Sequence, residues 1–150
     1  MILKKPKRQL NKKEKISNKF NAIALGNKKS TFEQKAEDYL TESGLFFDYE
    51  PIKIILNQGF KFCSIVVEKE NTKESCTNRD MTYTPDFVAK DWSWVIETKG
   101  MMTPDFAIKW KLFKQWLSIN KPDCIAYLVK GGMKQLKLTV NHIANNRKFK

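Results

Sequence analysis

The sequence predicts an α/β or α+β domain in which helices pack on a mixed sheet. Three observations predict it. Apolar residues recur at helical spacing over residues 32–40 and 106–117, β-branched and aromatic runs lie between them, and residues 124–129 form a nearly all-apolar run suited to a buried strand. The chain has 150 residues, 41% of them hydrophobic, with ten Phe and four Trp, which suffices for one core in one domain.

Each element has its own signal. Ser30 followed by Glu33 is a capping box that opens a helix, carried on by Phe32, Ala36, Tyr39 and Leu40 and stopped at Gly44. Residues 45–56 read as a strand, Gln58-Gly59 as a turn, and residues 60–67 as the returning strand of a hairpin. Residues 68–80 are polar and read as an exposed loop. Residues 81–88 and 92–98 read as a second hairpin, turning at Lys90-Asp91. Thr103-Pro104-Asp105 starts a helix with an N-cap threonine, a proline at the first position and an acid in the first turn. Phe106, Trp110, Phe113 and Leu117 form its apolar stripe, read as core and not as a base-stacking platform, and Asn120-Lys121-Pro122 ends it. After Gly131-Gly132, the alternation of Leu136, Leu138 and Val140 predicts a last strand.

Charge divides the chain. Residues 1–29 carry ten Lys or Arg against Glu14, and residues 129–150 carry six against none. With a total of +12, the middle is left at −3. Residues 1–29 are therefore expected to be a basic arm, with Lys4, Lys5, Lys7, Arg8, Lys12, Lys13, Lys15, Lys19, Lys28 and Lys29 available to phosphates, and residues 30–150 the folded domain. No apolar run approaches bilayer length and the first residues lack the apolar centre of a secretory signal, so a cytoplasmic protein with no membrane partner is expected. Cys63, Cys76 and Cys124 follow no metal-ligand spacing and are expected as reduced thiols, Cys63 and Cys124 in the core. The single histidine, His142, excludes histidine-rich metal sites, and no nucleophile elbow accompanies it.

The chemistry centres on Thr84-Pro85-Asp86-Phe87 and Glu97-Thr98-Lys99-Gly100. Val95, Glu97 and Lys99 share one strand face, because side chains alternate. A hairpin symmetric about Lys90-Asp91 sets residue 86 opposite 95, and Asp86 and Glu97 become diagonal neighbours with Cβ atoms roughly 7 Å apart or less. A change of one residue in the loop would put them on opposite faces. Two carboxylates and a lysine in a polycationic chain suit Mg²⁺-assisted hydrolysis of a phosphodiester, with Mn²⁺ an expected substitute.

At these residues the chain resembles the PD-(D/E)xK nuclease superfamily, and within it the phage endonuclease I family of Holliday-junction resolvases. The resemblance is carried by Ser30-Thr31-Phe32-Glu33, Phe47-Asp48-Tyr49-Glu50, Tyr83-Thr84-Pro85-Asp86-Phe87 and Ile96-Glu97-Thr98-Lys99-Gly100. It implies a restriction-endonuclease-like αβββαβ core and a phage enzyme acting on branched DNA as a homodimer in the host cytoplasm. It also implies that Asp86, Glu97 and the Thr98 carbonyl ligate metal, that Lys99 assists the water, and that Glu33 is the helical acid of the site. Asp48 and Glu50 match a strand acid and stay outside the catalytic set. The insertion at residues 57–80 and the lack of likeness beyond Pro122 depart from the family pattern. The alternatives are a nuclease or nickase on duplex or replication-intermediate DNA, a non-catalytic nucleic-acid-binding protein, and a basic RNA- or ribosome-associated protein.

Overall fold

The computed structural model describes residues 29–147. In chain order the elements are α1 (Thr31–Glu42), β1 (Phe47–Tyr49), β2 (Ile54–Asn57), β3 (Phe60–Glu68), β4 (Asn71–Asn78), β5 (Met81–Tyr83), β6 (Phe87–Ala89), β7 (Trp94–Lys99), α2 (Pro104–Asn120), β8 (Ile125–Lys130) and α3 (Met133–Arg147). Strands β1, β6, β7 and β8 lie side by side in that order in one mixed sheet. The first two pairings are antiparallel and β7–β8 is parallel. A parallel pair needs a crossover, and α2 supplies it. β2 with β5, and β3 with β4, form separate two-stranded ribbons.

The sheet buries both faces because its side chains alternate. Phe87, Ala89, Trp94 and Ile96 pack on one side with Ala36 and Leu40 of α1 and Leu136, Val140 and Ile143 of α3. Val88 and Val95 pack on the other with Phe106, Trp110, Phe113 and Leu117 of α2 and with Ile54 and Tyr83. The domain is thus α+β, a mixed sheet between helices.

The helix starts follow the sequence. Ser30 Oγ accepts from the Glu33 N–H and the Glu33 carboxylate accepts from the Ser30 N–H, closing the capping box. Thr103 Oγ1 accepts from the Phe106 N–H at 3.2 Å. Gly44 stops α1 with φ +68°, a conformation that glycine adopts at no steric cost.

Other expectations are corrected. The final strand is a helix: Leu136, Val140 and Ile143 are buried at i, i+4 and i+7, whereas Leu138 is 62% exposed. Three alternating apolar residues satisfied a strand template while the longer helical spacing decided the structure. The loop at 68–80 contains β4, which pairs with β3. Both ribbon strands are almost wholly exposed, so no buried face imposes an apolar alternation on β4. The strand at 45–56 is broken: Glu50 takes φ +43° before Pro51, and β2 leaves to pair with β5 and not with β3. Residues 81–88 likewise split into β5 and β6 around Pro85, whose ring has no N–H for a ladder. Cys63 is exposed and forms a disulfide with Cys76, so neither is the reduced thiol expected, and Cys63 is not in the core; Cys124 is free and half-buried. Among the described residues no helix is long and apolar enough to cross a membrane.

The helical reading of the C-terminal segment has a direct test. Leu136→Ala should destabilise the domain by about 2–5 kcal/mol and Leu138→Ala by less than about 0.5 kcal/mol in denaturant unfolding. Similar losses at both positions would instead fit an alternating strand.

Candidate active site

The expected pairing of Asp86 with Glu97 is present, in a different register. Phe87 lies opposite Ile96 and Val88 opposite Val95, so the hairpin is offset by two residues from symmetry about Lys90-Asp91. A shift of two preserves facing, where a shift of one would have destroyed it. Continuing the ladder sets Asp86 across from Glu97 and Pro85 across from Thr98. The carboxylates are buried, Asp86 at 9% exposure and Glu97 at 2%.

Each acid is held by separate partners. Asp86 Oδ2 accepts from the Thr98 N–H and from Thr98 Oγ1, both at 2.7 Å. The carboxylate therefore takes the N–H that the next residue of a longer β6 would have taken. In an antiparallel ladder a residue directs its N–H and C=O toward the same neighbour. The Thr98 carbonyl thus points to the β6 side, where Pro85 has no N–H to offer it. Glu97 Oε2 accepts from the buried Tyr83 hydroxyl at 2.6 Å, and Oε1 accepts from Lys99 Nζ at 3.1 Å. The Lys99 ammonium also lies 4.3 Å from the centre of the Phe106 ring, while its side chain stays one-third exposed at 32%.

These neighbours leave the site short of positive charge. Burial, then the Glu97 charge, pushes the Asp86 carboxyl up to about 7, with Glu33 adding to the rise and the Thr98 bonds opposing it. Burial also raises Glu97, against the lowering effect of Tyr83 and Lys99. The Tyr83 hydroxyl is raised by burial and by Glu97, which keeps it a proton donor. Asp86 Oδ1 has no hydrogen-bond partner among the described residues. That oxygen, the Glu97 carboxylate and the Thr98 carbonyl are hard donors of the kind that Mg²⁺ and Mn²⁺ take, and a nearby cation would favour the charged form of both acids.

Glu33 stands differently. Its Oε2 accepts from the Ser30 N–H at 2.9 Å and from the Tyr49 hydroxyl at 3.3 Å, so its hydrogen bonds serve the helix cap. Its charge still bears on Asp86. The carboxylates of Glu33, Asp86 and Glu97 do not converge within 4.8 Å; among the described residues the one such group of three is Cys63, Glu74 and Cys76. Its two sulfurs are joined as the disulfide and offer no thiolates. Asp48 is exposed and 4.0 Å from Lys90. Glu50, also exposed, donates its N–H to the Asp86 carbonyl at 2.8 Å, tying β1 to the site. His142 Nδ1 lies 2.8 Å from the Tyr127 hydroxyl, away from these acids.

Of the basic arm, only Lys29 falls within the described residues. Its ammonium pairs with Glu37 and lies 4.0 Å over the Tyr49 ring, so it is occupied by the domain itself. Lys4, Lys5, Lys7, Arg8, Lys12, Lys13, Lys15, Lys19 and Lys28 lie outside those residues. Tyr83 and Tyr49 stand in the motifs that carry the family resemblance, but the sequence assigns a role to neither. Tyr83 belongs to a strand that does not pair with β7, so no spacing rule linked it to Glu97. No protein-family model, curated protein or solved structure matches the chain.

The raised Asp86 carboxyl sets a pH dependence. Between the usual value of 3.8 and about 7, the folded state keeps a proton that the unfolded chain has released. The stability this proton provides is present below the lower value and is lost as pH rises through about 7. In chelator, the thermal midpoint of the wild type should therefore fall more steeply between about pH 4 and pH 7 than that of Asp86→Asn, which retains an acceptor for Thr98. Equal slopes would show that Asp86 titrates like an exposed acid.

Proposed function

We propose that this chain is a divalent-metal-dependent DNA endonuclease. The observation that carries the reading is the burial of Asp86 across from Glu97, with Lys99 on one acid and Thr98 on the other, in a site short of positive charge. Two acids buried together are costly without a counter-ion. The order α1, β1, β6, β7, α2, β8 supports the αβββαβ core that the family resemblance implies, with the two ribbons inserted between β1 and β6.

Asp86, Glu97 and the Thr98 carbonyl would hold Mg²⁺ or Mn²⁺. Bound there, the ion would supply Lewis-acid polarisation of a phosphoryl oxygen and a water of lowered pKa. The protein's own groups do the rest. Thr98 fixes the Asp86 carboxylate through two bonds, and Tyr83 fixes the rotamer of Glu97. Lys99 reaches solvent beside them and can orient the attacking water or stabilise charge on the phosphorane. Glu33 acts through its field at Asp86 and serves as the helical acid of the site. The basic arm would supply phosphate contacts without base readout.

Branched DNA as substrate, action in a phage-infected host cytoplasm, and a homodimer with paired cuts follow from the resemblance. Purified protein with Mg²⁺ on four-way, nicked and linear DNA tests them together. Symmetric paired cuts and at least about tenfold tighter binding of the junction are expected. Cleavage of all three substrates alike would leave a general nuclease, and no cleavage in Mg²⁺ or Mn²⁺ would leave a nucleic-acid-binding protein.

Asp86→Asn and Glu97→Gln should each abolish cleavage with DNA binding near or above wild type, because removing negative charge beside phosphate does not weaken attraction. Lys99→Ala should lose on the order of a hundredfold in rate. Wild-type cleavage by either carboxylate variant would remove the assignment. Deleting residues 1–28 should weaken DNA binding and flatten its log–log salt dependence by about 0.9 per lost phosphate contact. An unchanged salt slope would mean that the arm does not touch DNA.

A further inference from the structure

We propose that Lys130 is a second phosphate-binding residue of the candidate site, holding the backbone phosphate next to the one that is cut. The proposal rests on the nuclease reading for its substrate and on strand register for its position. β7 and β8 are parallel, and Lys99 pairs with Lys130 at the end of their ladder. Paired residues of neighbouring strands point to the same face, and the packing agrees. Val95 pairs with Ala126 and Glu97 with Leu128, and Val95, Ala126 and Leu128 all pack on the α2 side. Lys130 stands two residues beyond Leu128 and so continues that face beside Lys99. Neighbouring strands lie about 4.8 Å apart, which sets the two lysine stems side by side. The likeness to the nuclease family ends at Pro122, so no residue of that pattern corresponds to Lys130.

The two lysines are engaged differently. Lys99 donates to Glu97 at 3.1 Å and lies 4.3 Å from the centre of the Phe106 ring. Lys130 is exposed, and its ammonium has no hydrogen-bond or ion-pair partner among the described residues. Glu97, the acid nearest along that face, already accepts from Tyr83 on one oxygen and from Lys99 on the other. α3 follows Lys130 after two glycines and has no acid in its first turn. Two ammonium groups side by side repel, and an anion lying across them removes that cost. A nucleic-acid backbone supplies such anions in series, one charge per about 3.4 Å of axis along each strand.

Sheet order selects the phosphate. β7 lies between β6 and β8. Asp86 stands on the β6 side of Glu97 and Lys130 on the β8 side of Lys99. A strand whose reacting linkage meets Asp86 and Glu97 presents a neighbouring linkage, and not the reacting one, to Lys130. Such a contact is made before and during cleavage alike, so it serves binding more than the chemical step.

The test compares Lys130→Gln with Lys90→Gln, which removes the same charge at the turn between β6 and β7, the opposite end of β7 from Lys99. In chelator, anisotropy of a labelled linear duplex over a salt series should show a log–log slope smaller by about 0.9 for Lys130→Gln. Lys90→Gln should keep the wild-type slope. With Mg²⁺, Lys130→Gln should raise KM about tenfold and leave kcat within about twofold, and Lys130→Arg should restore KM. Because Lys130 is exposed, the thermal midpoint should not move. A slope and KM no different from those of Lys90→Gln would overturn the proposal, as would a lowered kcat at unchanged KM. A wild type that binds DNA and never cleaves it would remove the nuclease reading, and with it the cut linkage. The slopes in chelator would then still decide whether Lys130 holds a phosphate.

Discussion

Pro85 and Asp86 together end one strand and complete the next. Proline has no N–H to give the Thr98 carbonyl, and the Asp86 carboxylate accepts the Thr98 N–H where a backbone carbonyl of a longer β6 would have done so. The two departures have separate effects. The side-chain acceptor draws a carboxylate into the sheet beside Glu97, and the missing N–H leaves the Thr98 carbonyl without a donor from Pro85. Burying one carboxylate is costly unless it is hydrogen-bonded or paired, and burying two side by side is more so. Thr98, Tyr83 and Lys99 offset much of that cost, but they carry only one positive charge. Burial, and after it the neighbouring Glu97 charge, still push the Asp86 carboxyl up to about 7.

The core supports this arrangement from the α2 side of the sheet. Tyr83 packs 4.6 Å from Phe113 between ring centres, with Trp110 at 6.3 Å and Phe106 at 6.5 Å. A ring so enclosed has few rotamers, and its hydroxyl is aimed at Glu97. Phe106 serves twice, closing the core and lying against the Lys99 ammonium. The aromatic stripe of α2 is therefore core, as its helical spacing implied, and it also sets the positions of site groups on two different strands. Rigid support of this kind holds polar groups in place before any ligand arrives.

Local signals were legible wherever one short segment carries its own physical reason. The capping box at Ser30 and Glu33, the Thr103 cap, the Gly44 stop and the buried stripe of α2 each depend on residues within one or two helical turns. Elements without a buried face were not legible. β4 has no apolar alternation because nothing covers it, and α3 carries three apolar residues that fit two periodicities until packing buried Leu136, Val140 and Ile143. The disulfide was equally hidden, since thirteen residues of separation between Cys63 and Cys76 match no ligand spacing and only the register of the ribbon brings them together.

The sequence by itself put Asp86 and Glu97 on one sheet face given a hairpin symmetric about Lys90-Asp91, and the structure keeps that parity because its register differs by two residues and not by one. It also determined the charge division of the chain and the ends of α1 and α2. Tertiary structure alone decided that Asp86 lies across from Glu97 and not diagonal to it, and that β2 pairs with β5. It likewise decided that Tyr83 reaches Glu97 and that Glu33 spends its hydrogen bonds on a helix cap and Tyr49. These outcomes depend on strand pairings and side-chain directions between segments far apart in the chain, and periodicity within a segment carries no information about them.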